Sequence, residues 1–142
     1  MKGDLIAKAS ITMEASAAEV WNALVNPELV KQYMFGATVE SDWKKGSPIV
    51  WKGEWKGKPF VDKGKILEIE PERRLKYSHF SPLSGEADVP ENYHTVTIDL
   101  AKEEGGVHLM LSQDHNPNEQ ARQHSEENWE KMLEGMKKVL MG

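Results

Sequence analysis

The chain has 142 residues, a formal charge of −5 at neutral pH and no cysteine. That length suits one ordinary hydrophobic core, so residues 1–142 read as one domain. The lack of cysteine excludes disulfides, thiolate metal sites and thiol nucleophiles and fits a reducing compartment, while the negative balance argues against general nucleic-acid binding, which needs many Lys and Arg contacts to phosphate.

Met1 to Lys8 carries charges at Lys2, Asp4 and Lys8 and no apolar run of the length of a signal peptide or membrane span. The segment therefore reads as part of a soluble, cytoplasmic chain. Leu5, Ala7, Ala9, Ile11 and Met13 then alternate with polar neighbours such as Lys8, Ser10 and Thr12, the period of a strand with one buried face. Ser16 followed by Glu19 forms a capping box, and Ala17, Trp21 and Leu24 share the face of the helix it opens. At Asn26-Pro27 a side-chain cap is followed by a proline suited to the first helical position. The proline disfavours helical geometry at Asn26, so one helix stops and a second begins.

From Gly36 onward the chain reads as strands separated by turns at Lys45-Gly46-Ser47-Pro48, Trp55-Lys56-Gly57-Lys58, Pro71-Glu72-Arg73-Arg74 and Glu103-Glu104-Gly105-Gly106. Ile49, Trp51, Gly53 and Trp55 alternate on one strand, Val96, Ile98 and Leu100 on another, and Val107, Leu109 and Leu111 on the next. The segment 81–92, with two prolines and several acids, is longer than a hairpin needs and has the length of a lid. Asn116-Pro117-Asn118-Glu119 reads as a cap, a first-turn proline and a first-turn acid opening a long final helix. Trp129, Met132, Leu133, Met136, Val139 and Leu140 form its apolar stripe. Continued backward, the stripe meets Asn128, Ser125, His124 and Ala121, which are small or polar. Neither a repeat nor a linker divides the chain.

Strand, two short helices, about six further strands and a long terminal helix make an α+β pattern, a curved antiparallel sheet of six to seven strands wrapping the last helix. This order, with the segments ASAAEVWNALVNPELVKQYM at 15–34, DWKKGSPIVW at 42–51, GKILEIEPERRLKYSHF at 64–80, TVTIDLAKEEGGVHLMLSQ at 95–113 and NWEKMLEGMKKVL at 128–140, resembles the START-like, helix-grip (SRPBCC) superfamily. Within it the chain resembles the homologues of the activator of the heat-shock-protein-90 ATPase. The resemblance implies that the two short helices form a V on the open side of the sheet, with its corner at Asn26-Pro27 and a ligand cavity between the V and the long helix. Two positions depart from the family's wording: Gln113 stands where a histidine often closes its strand, and Ser47 where a second glycine often follows Gly46.

Candidate pocket residues follow from parity and from the polar half of the last helix. Trp51, Trp55 and Tyr77 point to the concave side, where aromatics also serve as plain core. Ser125 and Asn128, with His124, would face a cavity if the helix start is not simply in water. His79 shares parity with Leu75 and Tyr77, His94 with Val96 and Ile98, and His115 with Leu109, Leu111 and Gln113, so three strands aim an imidazole inward. No histidine spacing suggests a metal site, and Gly105-Gly106 precedes a strand instead of opening a phosphate-binding helix. Ser112, Asp114 and His115 do not suggest a triad, because Asp114 and His115 should face opposite sides.

The expected function is therefore a module that binds a small hydrophobic or aromatic molecule without a cofactor or metal. A second reading comes from the basic stretch Lys44, Lys45, Lys52, Lys56, Lys58, Lys63 and Lys65, which faces only Glu54 and Asp62. It is either the solvated face of a hairpin that blunts edge pairing or a docking surface for an acidic partner such as the chaperone of the family name. A third reading, implied by the superfamily's cyclases, dehydratases and hydrolases, is an enzyme using His79, His94 or His115 as acid or base.

Overall fold

A computed structural model describes residues 5–34, 36–55, 57–81 and 85–141, the side chain of Trp55 excepted. The first strand, β1 (Ala7–Met13), buries Ala7, Ala9 and Met13 on one face. Ser16 and Glu19 then close their box, with Ser16 Oγ accepting from the Glu19 amide and Glu19 Oε1 from the Ser16 amide, each at 3.1 Å. This fixes the start of α1 (Ala17–Val25), which presents Val20, Ala23 and Leu24 to the core. Asn26 ends α1 and caps α2 (Pro27–Tyr33) through Oδ1, which accepts from the Glu28 amide at 3.0 Å. The corner is clamped from inside: the buried Tyr33 hydroxyl donates to the Ala23 carbonyl across it at 2.8 Å. Burial raises the Tyr33 pKa far above the ordinary phenol range, and Tyr77 nearby adds to the effect, so the hydroxyl stays a donor.

The remaining strands are β2 (Thr38–Ser41), β3 (Pro48–Trp55), β4 (Lys58–Glu70), β5 (Arg74–His79), β6 (His94–Glu103) and β7 (Gly106–Gln113), and α3 (Glu119–Met141) closes the chain. All pair antiparallel in one seven-stranded sheet of order β1-β7-β6-β5-β4-β3-β2. Strand β4 does the bending. Its first half pairs with β3 and its second with β5, and a bulge between Ile66 and Glu68 shifts the register where the two meet. At roughly 1.5 Å per residue, the helix α3 runs for about 35 Å in the trough this bend creates. It packs chiefly on β1 and α2, with Leu133 and Met136 buried. Ile49, Trp51, Leu75, Tyr77, Val96, Ile98, Leu109 and Leu111, alternating positions that the sequence marks as inward, supply the sheet's side of the core together with Val39 and Ile66. The α+β helix-grip architecture expected from the sequence is thus the one observed.

One expectation changes. Asn116 does not cap α3. Asn118 does, its Oδ1 accepting from the Ala121 amide at 2.8 Å, so Pro117 precedes the cap instead of following it. Asn116, 1% exposed, has another task. Its Nδ2 donates to the carbonyls of Leu5 (2.9 Å) and Gln113 (3.0 Å), and its Oδ1 accepts from Ser125 Oγ at 3.0 Å. One amide so ties the entry to β1, the exit of β7 and the first half of α3. The segment 81–92, of which residues 82–84 lie outside the described part, ends in a 3-10 turn at Pro90–Asn92. Asp88 in it pairs with Lys63 and accepts from the Tyr93 hydroxyl at 2.7 Å, while Phe80 stacks on Tyr93.

Candidate functional site

Between the first half of α3 and the bent part of the sheet lies a cavity of ≈ 270 Å³. Two inward positions that face each other across β3 and β4, Trp51 and Asp62, form part of its floor. Tyr77 and His79 continue it on β5, Gln113 on β7, Ser125, Asn128, Trp129 and Met132 close it from α3, and Met34, Ala37 and Phe60 complete the wall. The space beneath the V, walled by Leu24, Val30, Tyr33, Trp43 and Met136 among others, is packed down to ≈ 30 Å³, about the share of one water. The open part of the trough therefore lies toward the start of α3, where its stripe turns polar, and not deep under the V. A larger depression of ≈ 1180 Å³ runs outside the fold beside β1, but Lys8, Glu127, Glu130, Lys131, Glu134 and Lys138 wall it, all exposed. Ligand sites are concave, with a few placed polar groups among apolar walls. The inner cavity has this form, whereas the crevice, although Ala9, Ile11, Met110 and Leu133 also line it, carries six exposed charges along its wall.

The polar groups of the cavity are held from behind. Trp129 Nε1 donates to Gln113 Oε1 at 2.7 Å, which fixes the indole and occupies the amide oxygen. His79 Nε2 lies 2.9 Å from Asp62 Oδ2, and since a carboxylate only accepts, Nε2 carries the hydrogen. Trp51 meets the edge of the His79 ring at 5.1 Å and tilts against Tyr77 at 5.1 Å. Asp62 has a 15% exposed side chain, and its Oδ1 is buried without a hydrogen-bond partner among the described residues. Burial raises the Tyr77 pKa well above the ordinary phenol value, so the ring bears no charge toward the cavity.

Of the residues singled out in the sequence, Trp51, Tyr77, His79, Gln113, Ser125 and Asn128 line this cavity. Three do not join them or lie outside view. The side chain of Trp55 is outside the described residues, as is Lys56. His94 stands one layer back, stacked on His79 at 6.3 Å, and its Nδ1 donates to the Asp114 carbonyl at 2.8 Å. His115 leaves the strand parity altogether: its φ is 56°, in the left-handed region, and it borders an outer depression with Ser78, Asp88, Tyr93 and Thr95. That turn also brings His115 Nδ1 to 2.9 Å from Asp114 Oδ1, although at an angle that makes no hydrogen bond. Of the three imidazoles only His79 therefore lines the cavity, and Asp114 and His115, both beyond the end of β7, sit side by side. His124 is exposed, and no described residue of 85–92 lines the cavity. Sequence reasoning missed Asp62, which it counted only among charges of the basic hairpin.

His94 gives the site a pH signature. Burial lowers its pKa below the ordinary value of 6.5, the hydrogen bond to the Asp114 carbonyl opposing and His79 and His115 reinforcing the shift. Below about pH 6.5 the unfolded chain takes up a proton there before the folded chain does, so stability is fully present above that pH and falls as pH drops through the folded pKa. In urea titrations stepped from about pH 7.5 to about pH 5, His94→Gln is expected to shrink this acid-side loss. An unchanged slope would show that His94 titrates alike in both states.

A family model described as "Activator of Hsp90 ATPase homolog 1-like protein" matches residues 14–141. The chain belongs to this family. A protein from Cytophaga hutchinsonii, solved in solution, is 56% identical with a TM-score of 0.86, over 99% of this chain and 97% of its own. Crystal structures from Mesorhizobium loti (19% identity, TM-score 0.79, 95% of this chain and 96% of that one) and Chromobacterium violaceum (17%, 0.79, 98% and 99%) share the fold. None of the curated proteins matches the chain. Among the described residues no helix is long and apolar enough to cross a membrane, and no group of three or more His, Asp or Glu is arranged to hold a metal ion.

Proposed function

We propose that this AHSA1-family domain binds a small, largely apolar or aromatic molecule in the cavity beneath the first half of α3. The observation that carries the reading is the ≈ 270 Å³ space itself, walled by Trp51, Phe60, Tyr77, Trp129 and Met132 yet furnished with Asp62, His79, Gln113 and Asn128. Aromatic walls with a few placed polar groups converging on one concave space are the usual furnishing of a ligand site. The volume equals roughly nine waters at about 30 Å³ each, which suits a ligand of roughly ten non-hydrogen atoms.

The partner-docking reading draws less support. Lys52 pairs with Glu40 at 3.1 Å and Lys63 with Asp88, so among the described residues Lys44, Lys45, Lys58 and Lys65 are the other exposed lysines of the hairpin. The acid–base reading relied on three converging imidazoles, and one of them, His79, lines the cavity. Native mass spectrometry of the gently purified protein tests the binding reading. A mass excess that denaturation removes supports it and gives the ligand's mass, whereas a bare chain mass that persists after exposure to cell extract counts against it.

A further inference from the structure

The cavity has a chemical sign as well as a size. Its described lining holds one carboxylate, Asp62, and neither lysine nor arginine. Lys63, the nearest cation in sequence, turns away to Asp88 on the outside. The carboxylate is half satisfied: Oδ2 accepts from His79, and Oδ1 is shut off from solvent with no partner among the described residues. A buried carboxylate oxygen without a donor is costly, and native interiors seldom leave one so unless something else supplies the donor. The terminal torsion of an aspartate is soft and two-fold, so a small rotation, with Asp62 still 15% exposed, presents an oxygen to a group in the cavity. Trp51, Tyr77 and Trp129 share the lining with it, aromatic surroundings that suit a cation better than an anion.

Resting on the cavity being a ligand site, we infer that its preferred occupant is an amine: an aromatic or aliphatic body of roughly ten non-hydrogen atoms carrying a protonated nitrogen that donates to Asp62. The hydrogen bond joins two charged groups out of water, the stronger kind. His79 is the positioning residue, holding the other oxygen, and Gln113 keeps Trp129 in place as a wall.

Three probes of one size separate the possibilities: phenethylamine, with a cationic donor; acetophenone, neutral and without a donor; and phenylacetate, an anion. Titrated into the full chain and followed by calorimetry, phenethylamine is expected to bind about ten-fold or more tighter than acetophenone, with phenylacetate weakest. Asp62→Asn should remove the preference for the amine, so that phenethylamine binds that variant no more than about two-fold tighter than acetophenone does, with circular dichroism certifying that the variant is folded. Acetophenone bound as well as phenethylamine by the unaltered chain, or an amine preference that survives Asp62→Asn, overturns the inference and leaves the binding reading standing. Failure of all three to bind overturns both. If Asp62→Asn does not fold by circular dichroism, the ranking of the three probes on the unaltered chain decides alone.

Discussion

Replacing Gly64 by alanine is expected to cost about 4 kcal/mol and to leave the chain largely unfolded near body temperature. A Cβ built at Gly64 would stand 1.7 Å from the Ser78 carbonyl oxygen and 2.6 Å from its carbon. Both are backbone atoms of the neighbouring strand, so no rotamer change relieves the clash, and β4 must separate from β5 where Lys63 and Phe80 exchange hydrogen bonds (2.8 and 3.0 Å). This is the stretch where the sheet bends to make room for α3. Gly53→Ala is the control. Its Cβ meets Phe60 Cζ at 2.8 Å, the far end of a ring that can swing, so the loss should be much smaller. Urea unfolding followed by circular dichroism measures both, and a Gly64→Ala loss under about 1 kcal/mol would mean that the strands are not this close.

The second large effect lies at Asn116. Changing it to alanine should destabilise the chain by about 2 kcal/mol, because it strips a side-chain donor from two part-buried carbonyls, those of Leu5, which keeps the Asn116 backbone amide at 3.3 Å, and of Gln113, and an acceptor from Ser125 in one step. Asn116→Asp separates these contributions. The carboxylate can still accept from Ser125 Oγ, but it faces two carbonyls that it cannot donate to, so it should do no better than alanine. A loss below about 0.5 kcal/mol for Asn116→Ala in the same titration would show that water takes over these contacts without cost. Because the amide joins β1, β7 and α3 at the cavity's end, the variant should also bind cavity ligands more weakly than its stability loss explains.

The contrast between Asn118 and Asn116 shows what the sequence could and could not tell. Both can cap a helix, and the local pattern around Pro117 suits either. Which one does so is settled by a contact to Leu5, 111 residues away, that no local rule anticipates. Strand parity was far more informative, since a buried face imposes a strict period of two. It placed Trp51, Tyr77 and His79 on the inner face, where they line the cavity. The same rule applied to Phe60, Asp62, Gly64 and Ile66 puts Asp62 on the inner face, although its lysine neighbours make the stretch read as surface charge. Parity failed at His115 for a definite reason: a residue at φ 56° no longer obeys strand alternation, and nothing in Gln113-Asp114-His115 marks that turn. How much of the trough stays open depends on side-chain volumes summed over five elements, which alternation alone does not fix.

Amide chemical-shift mapping during a titration with acetophenone separates a ligand held in the inner cavity, as proposed, from one held in the outer crevice. The predicted result is that the largest shifts fall on Met34, Trp51, Tyr77, Gln113 and Asn128 and on the Trp129 indole N–H, whose hydrogen bond to Gln113 crosses the cavity wall. Shifts confined to Lys8, Ser10, Glu127 and Glu130 along the crevice, or none at saturating acetophenone, would contradict it.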